Sequence, residues 1–337
     1  MVDLSIIIVN YKSAGLVIDC IESIYKNTTK HSFEIILVDN NSQDDCRERV
    51  LSKYKEVQWV QMDYNSGFAR ANNAGIRVSC GANILLLNSD TIILENALDK
   101  TLRLFEQYPD AAGCGVQLLN PDMTHQASGA NVVRGGLNML LPLPYLGNLV
   151  RKAGYKFKVS APSIISVPPV LEVDWIVGAF LMARKKILLD GGLLDEDFFM
   201  YAEEIEWCSR LRKKGALLLF EEPKVMHIGG GSSTEYYNAE DNQNGKTVWD
   251  EKGLQERLSN LLRVRKEFGV AWLFVITAFY VFEIPVFFFG LAIEKILKPG
   301  KSKYKWQQVL GYTKNIMIML KYFPRMVINK PYFYKVI

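Results

Sequence analysis

Short apolar runs recur through the first third of the chain: Leu4 to Val9, Glu34 to Val38, Val57 to Met62, Ile84 to Leu87 and Cys114 to Leu118. Each has the length and the β-branched composition of a buried strand. Between them, Leu16, Cys20 and Ile24, and later Leu98, Leu102 and Phe105, recur at helical spacing. Strands alternating with helices require crossover connections, which predicts a mainly parallel sheet flanked by helices. The runs end in polar clusters at Asn10-Tyr11, Asp39-Asn40-Asn41-Ser42, Asn65-Ser66-Gly67 and Asn88-Ser89-Asp90. In an open α/β sheet ligands bind beyond the carboxyl ends of the strands. These polar ends therefore predict one ligand-binding edge of a nucleotide-binding domain.

The rhythm breaks between Asn120 and Pro169, a stretch rich in Gly and Pro with Leu140-Leu-Pro-Leu-Pro-Tyr145 as an apolar patch, which reads as long loops and short elements. It resumes at Val173 to Arg184 and at the acidic segment Leu194 to Glu206. Glu204, Cys208 and Leu211 share helical spacing, so a helix is expected over Glu203 to Lys214 with Gly215 as its stop. Ala216 to Phe220 reads as a strand, followed by Val225-Met-His-Ile-Gly-Gly-Gly231.

The chain then changes character. Trp272 to Ile293 is almost wholly apolar and long enough to cross a bilayer core, but Glu283 and Pro285 interrupt its middle and both flanks are basic. A carboxylate at mid-bilayer costs about 2.5–3.5 kcal/mol. A bent or re-entrant segment returning to one face is the expectation, with Val309 to Ile328 as a helix lying in the interface. The competing reading is a buried helical hairpin.

Composition changes this picture little. The 337 residues suffice for one large domain or two ordinary ones, and the apolar fraction of 49% owes its height to the last third. A net charge of +4 gives no reason to expect nucleic acid. Cys20, Cys46, Cys80, Cys114 and Cys208 form no Cys-x-x-Cys pair and read as reduced packing residues of a cytoplasmic body. The first residues run directly into a strand without a basic leader, so no signal peptide is expected.

Several residues are chemically suggestive. Asp90 and Asn88 offer hard oxygen ligands for Mg²⁺ or Mn²⁺ at a strand end, although a polar turn would look the same. Taken together, Ser5-Ile-Ile-Ile-Val-Asn-Tyr11, Val38-Asp-Asn-Asn-Ser42, Asn65-Ser-Gly-Phe-Ala-Arg-Ala-Asn-Asn73, Leu87-Asn-Ser-Asp90, Asp174-Trp175 with Gly178-Ala179, Phe199-Met-Tyr-Ala-Glu-Glu-Ile-Glu206 and His227 resemble the family 2 glycosyltransferases of the GT-A fold, and most closely their rhamnosyltransferase-like branch. The resemblance covers residues 3 to 232 and rests on the order and spacing of the pieces.

It implies a catalytic domain over residues 1–240, with a nucleotide-sugar half over 1–120 and an acceptor half over 121–240, then a membrane-associating helical region over 241–337. Donor contacts fall on Asn10, Tyr11, Asp39, Asn65, Gly67, Arg70, Asn73 and Ser89, with Asp39 toward the base. Asp90, His227 and Asn88 hold the divalent metal. Glu204 is the base that deprotonates the acceptor hydroxyl, with Glu203 in reserve, and Trp175 and Asp195 lie on the acceptor side.

Each residue has a plainer alternative: a turn for Asp39, a surface charge for Arg70, a packed histidine for His227, a core tryptophan for Trp175. Glu206 reads as an ion pair with Arg210 four residues on. The family commonly writes Asp-x-Asp or Asn-x-Asp where this chain has Asn88-Ser-Asp90, in the second form, and Asp where it has Glu204; these departures admit a non-catalytic nucleotide-sugar-binding scaffold. The branch implies inversion, dTDP-rhamnose as donor (a UDP- or GDP-sugar as the alternative), and a lipid-linked saccharide acceptor at the cytoplasmic face of a bacterial inner membrane, a homo-oligomer being admissible. An NAD-dependent oxidoreductase is disfavoured because no Gly-x-Gly-x-x-Gly follows the first strand.

Overall fold

A computed structural model describes residues 2–132, 134–156, 163–229, 248–298 and 300–337. The chain divides into two compact units. The first comprises Met1–Asn131, Ser163–Phe199 and Glu203–Tyr236, the second Val132–Pro162, Met200–Ala202 and Tyr237–Ile337. The domain boundary expected at residue 240 lies outside the described residues.

The strands of the first unit are β1 (Leu4–Asn10), β2 (Phe33–Asp39), β3 (Gln58–Gln61), β4 (Asn83–Asn88), β5 (Thr91–Ile93), β6 (Gly113–Leu119), β7 (His125–Gln126), β8 (Gly129–Ala130), β9 (Ser163–Ile164), β10 (Val170–Glu172), β11 (Trp175–Ile176), β12 (Phe180–Arg184) and β13 (Leu217–His227). Its helices are α1 (Ala14–Lys26), α2 (Cys46–Lys53), α3 (Gly67–Val78), α4 (Ala97–Glu106), α6 (Lys185–Gly191) and α7 (Glu203–Leu211), while α5 (Leu146–Lys156) belongs to the second unit. The main sheet runs β10-β13-β6-β12-β4-β1-β2-β3, and β11-β8-β9 form a small separate sheet. β4, β1, β2 and β3 are parallel neighbours, as is the β13–β6 pair, whereas β12 and β10 run antiparallel to their neighbours. The sheet is thus mixed, with the parallel half at the N-terminal end of the chain.

The continuous apolar runs follow from burial on both faces. Ile6, Ile8, Leu37, Leu85 and Leu87 enter one core with Val17 and Ile21 of α1, Val50 of α2 and Leu98, Leu102 and Phe105 of α4. The alternate residues Ile7, Ile36, Val38, Ile84 and Leu86 enter a second core with Ala69 and Ile76 of α3, Leu188 of α6, and Trp207, Cys208 and Leu211 of α7. A period of two inside a run with no polar member is what a strand covered on both sides must show.

Two local expectations change. The strand expected at Ala216 to Phe220 and the segment around Val225 are one strand, because the chain absorbs Pro223 in an irregularity: the pairing of β13 with β6 shifts register between Phe220 and Lys224. A proline cannot donate to the ladder, and a bulge removes the need. Helix α7 ends at Leu211, three residues before the expected last helical residue, Lys214.

The second unit holds a 3₁₀ segment at Arg134–Leu140, α5, and three long helices, α8 (Glu251–Phe268), α9 (Val270–Leu297) and α10 (Trp306–Ile328). Residues 132–162, assigned from the sequence to the acceptor half, are grouped with these helices instead. The cause is in α9. Its buried positions Leu273, Ile276, Tyr280, Glu283, Phe287 and Leu291 fall three or four apart, a single stripe on an otherwise apolar helix. Glu283 sits on that stripe and accepts hydrogen bonds from the backbone N–H of Tyr145 (2.7 Å) and of Leu146 (3.0 Å), at the start of α5. Tyr145 also packs on Phe287 and donates its hydroxyl to Glu294 at 2.9 Å. The re-entrant turn expected at Glu283 and Pro285 is not found: α9 is continuous through Pro285, and the Glu283 carboxylate has partners inside the protein. The opposite face leaves Phe274, Phe279, Phe282, Phe288, Phe289 and Ile296 exposed. α9 is the one helix among the described residues long and apolar enough to cross a membrane.

Candidate active site

The carboxyl ends of β1, β2 and β4 lie side by side, with Asn10 opposite Asp39 and Val9 opposite Asn88. Asn10 is fully buried and braces this edge: its Nδ2 donates to Asp39 Oδ1 (2.9 Å) and Ser42 Oγ (3.0 Å), and its Oδ1 accepts from the N–H and hydroxyl of Ser13. Asp39 also accepts from Ser42 N and from Gln61 Nε2 at 2.8 Å. Tyr11, half-buried, follows the brace with Lys12 Nζ 5.5 Å from its ring. Ser89 is buried, its hydroxyl 3.2 Å from that of Ser13.

The next strand end forms a second brace. Asn40 accepts from the N–H and hydroxyl of Ser66 and donates to Asn65 Oδ1 (3.1 Å) and to the carbonyl of Gly67 (3.2 Å). Gly67 is left-handed, and the N–H of Phe68 donates to the carbonyl of Phe199 at 2.8 Å. A Cβ at residue 67 would lie 2.0 Å from that carbonyl oxygen, so only glycine allows the approach. Helix α3 is stitched onward to the segment before the acidic pair. Asn73 is buried, donating to Leu194 O and Glu196 Oε1 and accepting from Leu194 N, while Arg70 donates from Nε to the carbonyl of Glu196 and from Nη1 to Tyr64 Oη. The amide of Asn73, expected to face the donor, holds residues 194–196 in this structure. Burial works against ionisation of Glu196, yet Arg77 and Asn73 hold its carboxyl below the usual range.

Asp90, Asn88 and His227 do meet, although residues 90 and 227 lie 137 positions apart in sequence. His227 closes β13 opposite Thr91 of β5, and the N–H of Ile228 donates to the carbonyl of Asp90. This places His227 Nε2 3.3 Å from Asp90 Oδ1 and 3.4 Å from the Asn88 amide nitrogen. Asp90 is buried and His227 nearly so. A carboxylate oxygen and an imidazole nitrogen facing each other at this distance suit a shared cation and leave further positions for a ligand's own oxygens; the Asn88 amide presents its nitrogen and would join them only with its oxygen turned in. The donor set thus fits a divalent cation, although no group of three or more His, Cys, Asp or Glu side chains forms among the described residues.

The acidic pair opens α7. Glu203 is buried and Glu204 half-buried, and the two preceding residues, Tyr201 and Ala202, are both left-handed. Such strain in non-glycine residues gathers at functional sites. Glu206 is taken up by Arg210 (2.9 Å), which also donates to the carbonyls of Gly191 and Leu193. Gly178 links the acid to the metal-type cluster: a Cβ there would stand 3.7 Å from Glu204 Cγ and 3.5 Å from Phe68, and the next residue, Ala179, accepts at its carbonyl from the N–H of Asn88 (3.1 Å). Trp175 is half-buried, on β11 opposite Ala130, and its neighbour Asp174 pairs with Arg212. Asp195 accepts from the N–H of Asp197. Three side chains that order these groups, Asn40, Gln126 and Glu196, carry no periodic or motif signal of their own beyond Asn40's place in the strand-end cluster.

Residues 5–161 match the family model described as "Glycosyl transferase family 2". The low-salt glycan biosynthesis hexosyltransferase Agl10 of Haloferax volcanii is 29% identical over 217 residues, which cover 63% of this chain and 62% of that protein. The N-acetylglucosaminyl-diphospho-decaprenol L-rhamnosyltransferase of Mycobacterium tuberculosis is 24% identical over 214 residues, covering 59% and 67% respectively. The dTDP-rhamnosyl transferase RfbF of Shigella flexneri is 22% identical over 204 residues, 60% of this chain and 62% of that one. The chain thus spans under two thirds of the length of the first of these relatives. Among solved structures, GalNAc-T7 with UDP, GalNAc and Mn²⁺ shares the fold at a TM-score of 0.50 and 14% identity, over 68% of this chain and 44% of that one. Residues 5–161 thus match glycosyl transferase family 2, within a mixed sheet of GT-A-like architecture.

Proposed function

We propose that the chain is an inverting glycosyltransferase that moves rhamnose from dTDP-rhamnose to a hydroxyl of a lipid-linked saccharide in bacterial surface polysaccharide synthesis. The observation that carries this reading is the turn Gly178-Ala179, which adjoins Glu204 on one side and Asn88 on the other and so brings the acid and the Asp90–His227 pair to one strand edge. Glu204 takes the proton from the acceptor hydroxyl as that oxygen bonds to the anomeric carbon. The bond from the anomeric carbon to the diphosphate breaks, and its electron pair leaves with the nucleotide. Asp90, His227 and Asn88 would hold Mg²⁺ or Mn²⁺, which when bound supplies Lewis-acid neutralisation of the diphosphate's charge. Asp39 and the Asn65–Gly67 loop face the nucleotide, with Trp175 and Asp195 toward the acceptor. Rhamnose and a prenyl-diphosphate-type acceptor are suggested by what the Shigella and Mycobacterium relatives are called.

The exposed aromatic face of α9, with Lys295, Lys298, Lys301, Lys303 and Lys305 following it, supports attachment to an anionic membrane surface, the cytoplasmic face in this reading. A screen of dTDP-, UDP- and GDP-sugars, reading nucleotide release with and without Mn²⁺, tests the whole proposal. Glu204→Gln should lower kcat by about 10²–10⁴-fold, the usual contribution of a general base, with donor affinity unchanged. No release from any donor, with or without Mn²⁺ and acceptor lipid, would leave a nucleotide-sugar-binding scaffold.

A further inference from the structure

We propose that Gln126 is a positioning residue that fixes His227 as the Nδ1–H tautomer, so that the Nε2 lone pair faces Asp90; its bearing on a cation rests on the reading of that site given above. Gln126 ends β7, held opposite Leu118 of β6, and is half-buried. Its Nε2 donates to the backbone carbonyl of His227 (3.2 Å) and to Asn120 Oδ1 (2.9 Å). A carbonyl can only accept, so the –NH₂ end of the amide lies on that side and the amide's orientation is determined. The other end, Oε1, then faces His227 Nδ1 at 2.7 Å. An amide oxygen also can only accept, so Nδ1 must carry the hydrogen.

A neutral imidazole has one N–H, which leaves Nε2 with its lone pair directed at Asp90 Oδ1, 3.3 Å away. Two acceptors so placed repel unless a positive centre lies between them. Gln126 thereby keeps His227 from donating to Asp90 and leaves Nε2 an acceptor, which the Asn88 amide nitrogen also faces at 3.4 Å. The hydrogen bond on the far ring nitrogen of a ligating histidine does the same work in metal sites generally, where its loss costs about 10–100-fold in metal affinity. The backbone carbonyl of His227 is part of the same arrangement, so the ring and the amide that orients it are anchored to one residue.

Long-range ¹H–¹⁵N correlation spectra of the full chain, labelled at its three histidines and recorded above the imidazole titration, read the tautomer directly. His227→Gln assigns the signal. The wild type should show the proton on Nδ1. Gln126→Met, similar in length but without the amide, should shift the population toward Nε2–H, and Gln126→Glu, which keeps an acceptor, should retain Nδ1–H. In parallel, electron paramagnetic resonance of free Mn²⁺ should report at least tenfold weaker binding by Gln126→Met and little loss by Gln126→Glu. A wild-type ring carrying its proton on Nε2, or a Gln126→Met ring unchanged from wild type, would overturn the inference. An Nδ1–H ring that responds to Gln126→Met in a protein that takes up no Mn²⁺ would support the tautomer assignment and sink the cation reading separately.

Discussion

Gly67 has the least freedom to change of any residue at the site. A left-handed backbone costs an ordinary residue about 1–2 kcal/mol, and forcing a methyl into packed atoms costs about 1–3 kcal/mol more. Gly67→Ala, aimed at the carbonyl of Phe199, should therefore lose about 2–5 kcal/mol of stability in urea unfolding, and with it the register between α3 and the segment that leads into the acidic pair. Asp99 illustrates a different dependence. It accepts from the N–H groups of Thr29, Lys30 and His31 and from the His31 ring; burial opposes ionisation, but these donors hold its carboxyl below the ordinary range. A carboxyl lowered in the folded state stabilises the protein fully above the unfolded pKa near ~4 and loses that contribution as pH falls toward the folded value. Asp99→Asn should accordingly be less stable than wild type at pH 7 by about 1.5–3 kcal/mol, with the gap narrowing below pH ~4. The places of Asp90, His227 and Glu204 at strand or helix ends were legible in the sequence, their proposed roles only through the family resemblance. Gln126 could not, since its role depends on a two-residue strand and a partner 101 positions away. What the Asn73 amide holds was hidden for a related reason: a polar residue on a helix near a ligand edge looks the same whether it faces out or in.

At the scale of elements, strands were the most legible, because burial on both faces writes an unbroken apolar run. What could not be read was how β13 passes Pro223 without ending, since the bulge is set by its pairing with β6. Helix α9 shows the same limit from the other side. Its composition concealed the stripe on which Glu283 lies, and the interruption inferred from that carboxylate does not occur because the amides of Tyr145 and Leu146 receive it. Removing the acceptor leaves two inward N–H groups unsatisfied, each at about 1–3 kcal/mol. Glu283→Ala should thus lower the urea midpoint by an amount equivalent to about 2–6 kcal/mol, and Glu283→Gln, which keeps one acceptor oxygen, by less. Equal effects of the two would mean that the bonds contribute nothing beyond packing.

For the whole molecule, the grouping of residues 132–162 with α8, α9 and α10 means that the C-terminal helices are not an appendage to an otherwise complete chain. The sequence, read linearly, offered no sign of this, because the contacts that define the group span more than a hundred residues. Surface chemistry at this scale predicts membrane behaviour. Phe282 and Phe289 are 59% and 62% exposed, and burying a phenylalanine is worth about 1.5–3 kcal/mol. Flotation with vesicles containing anionic lipid should recover the wild type, and Phe282→Ser with Phe289→Ser should reduce binding at least tenfold while circular dichroism stays unchanged. Raising the salt should weaken binding further through the lysines after α9. Undiminished flotation of the double variant would remove this face from the reading.

The receipt of Glu283 by residues 145 and 146 also sets an order on synthesis. Translation proceeds from the N-terminus, so the amides that donate to this carboxylate already exist when residue 283 leaves the ribosome. A newly made α9 can hide its central acidic side chain against its own upstream chain at once, and a nascent protein missing those residues would offer the same hydrophobic helix to a bilayer with an uncompensated charge at its centre.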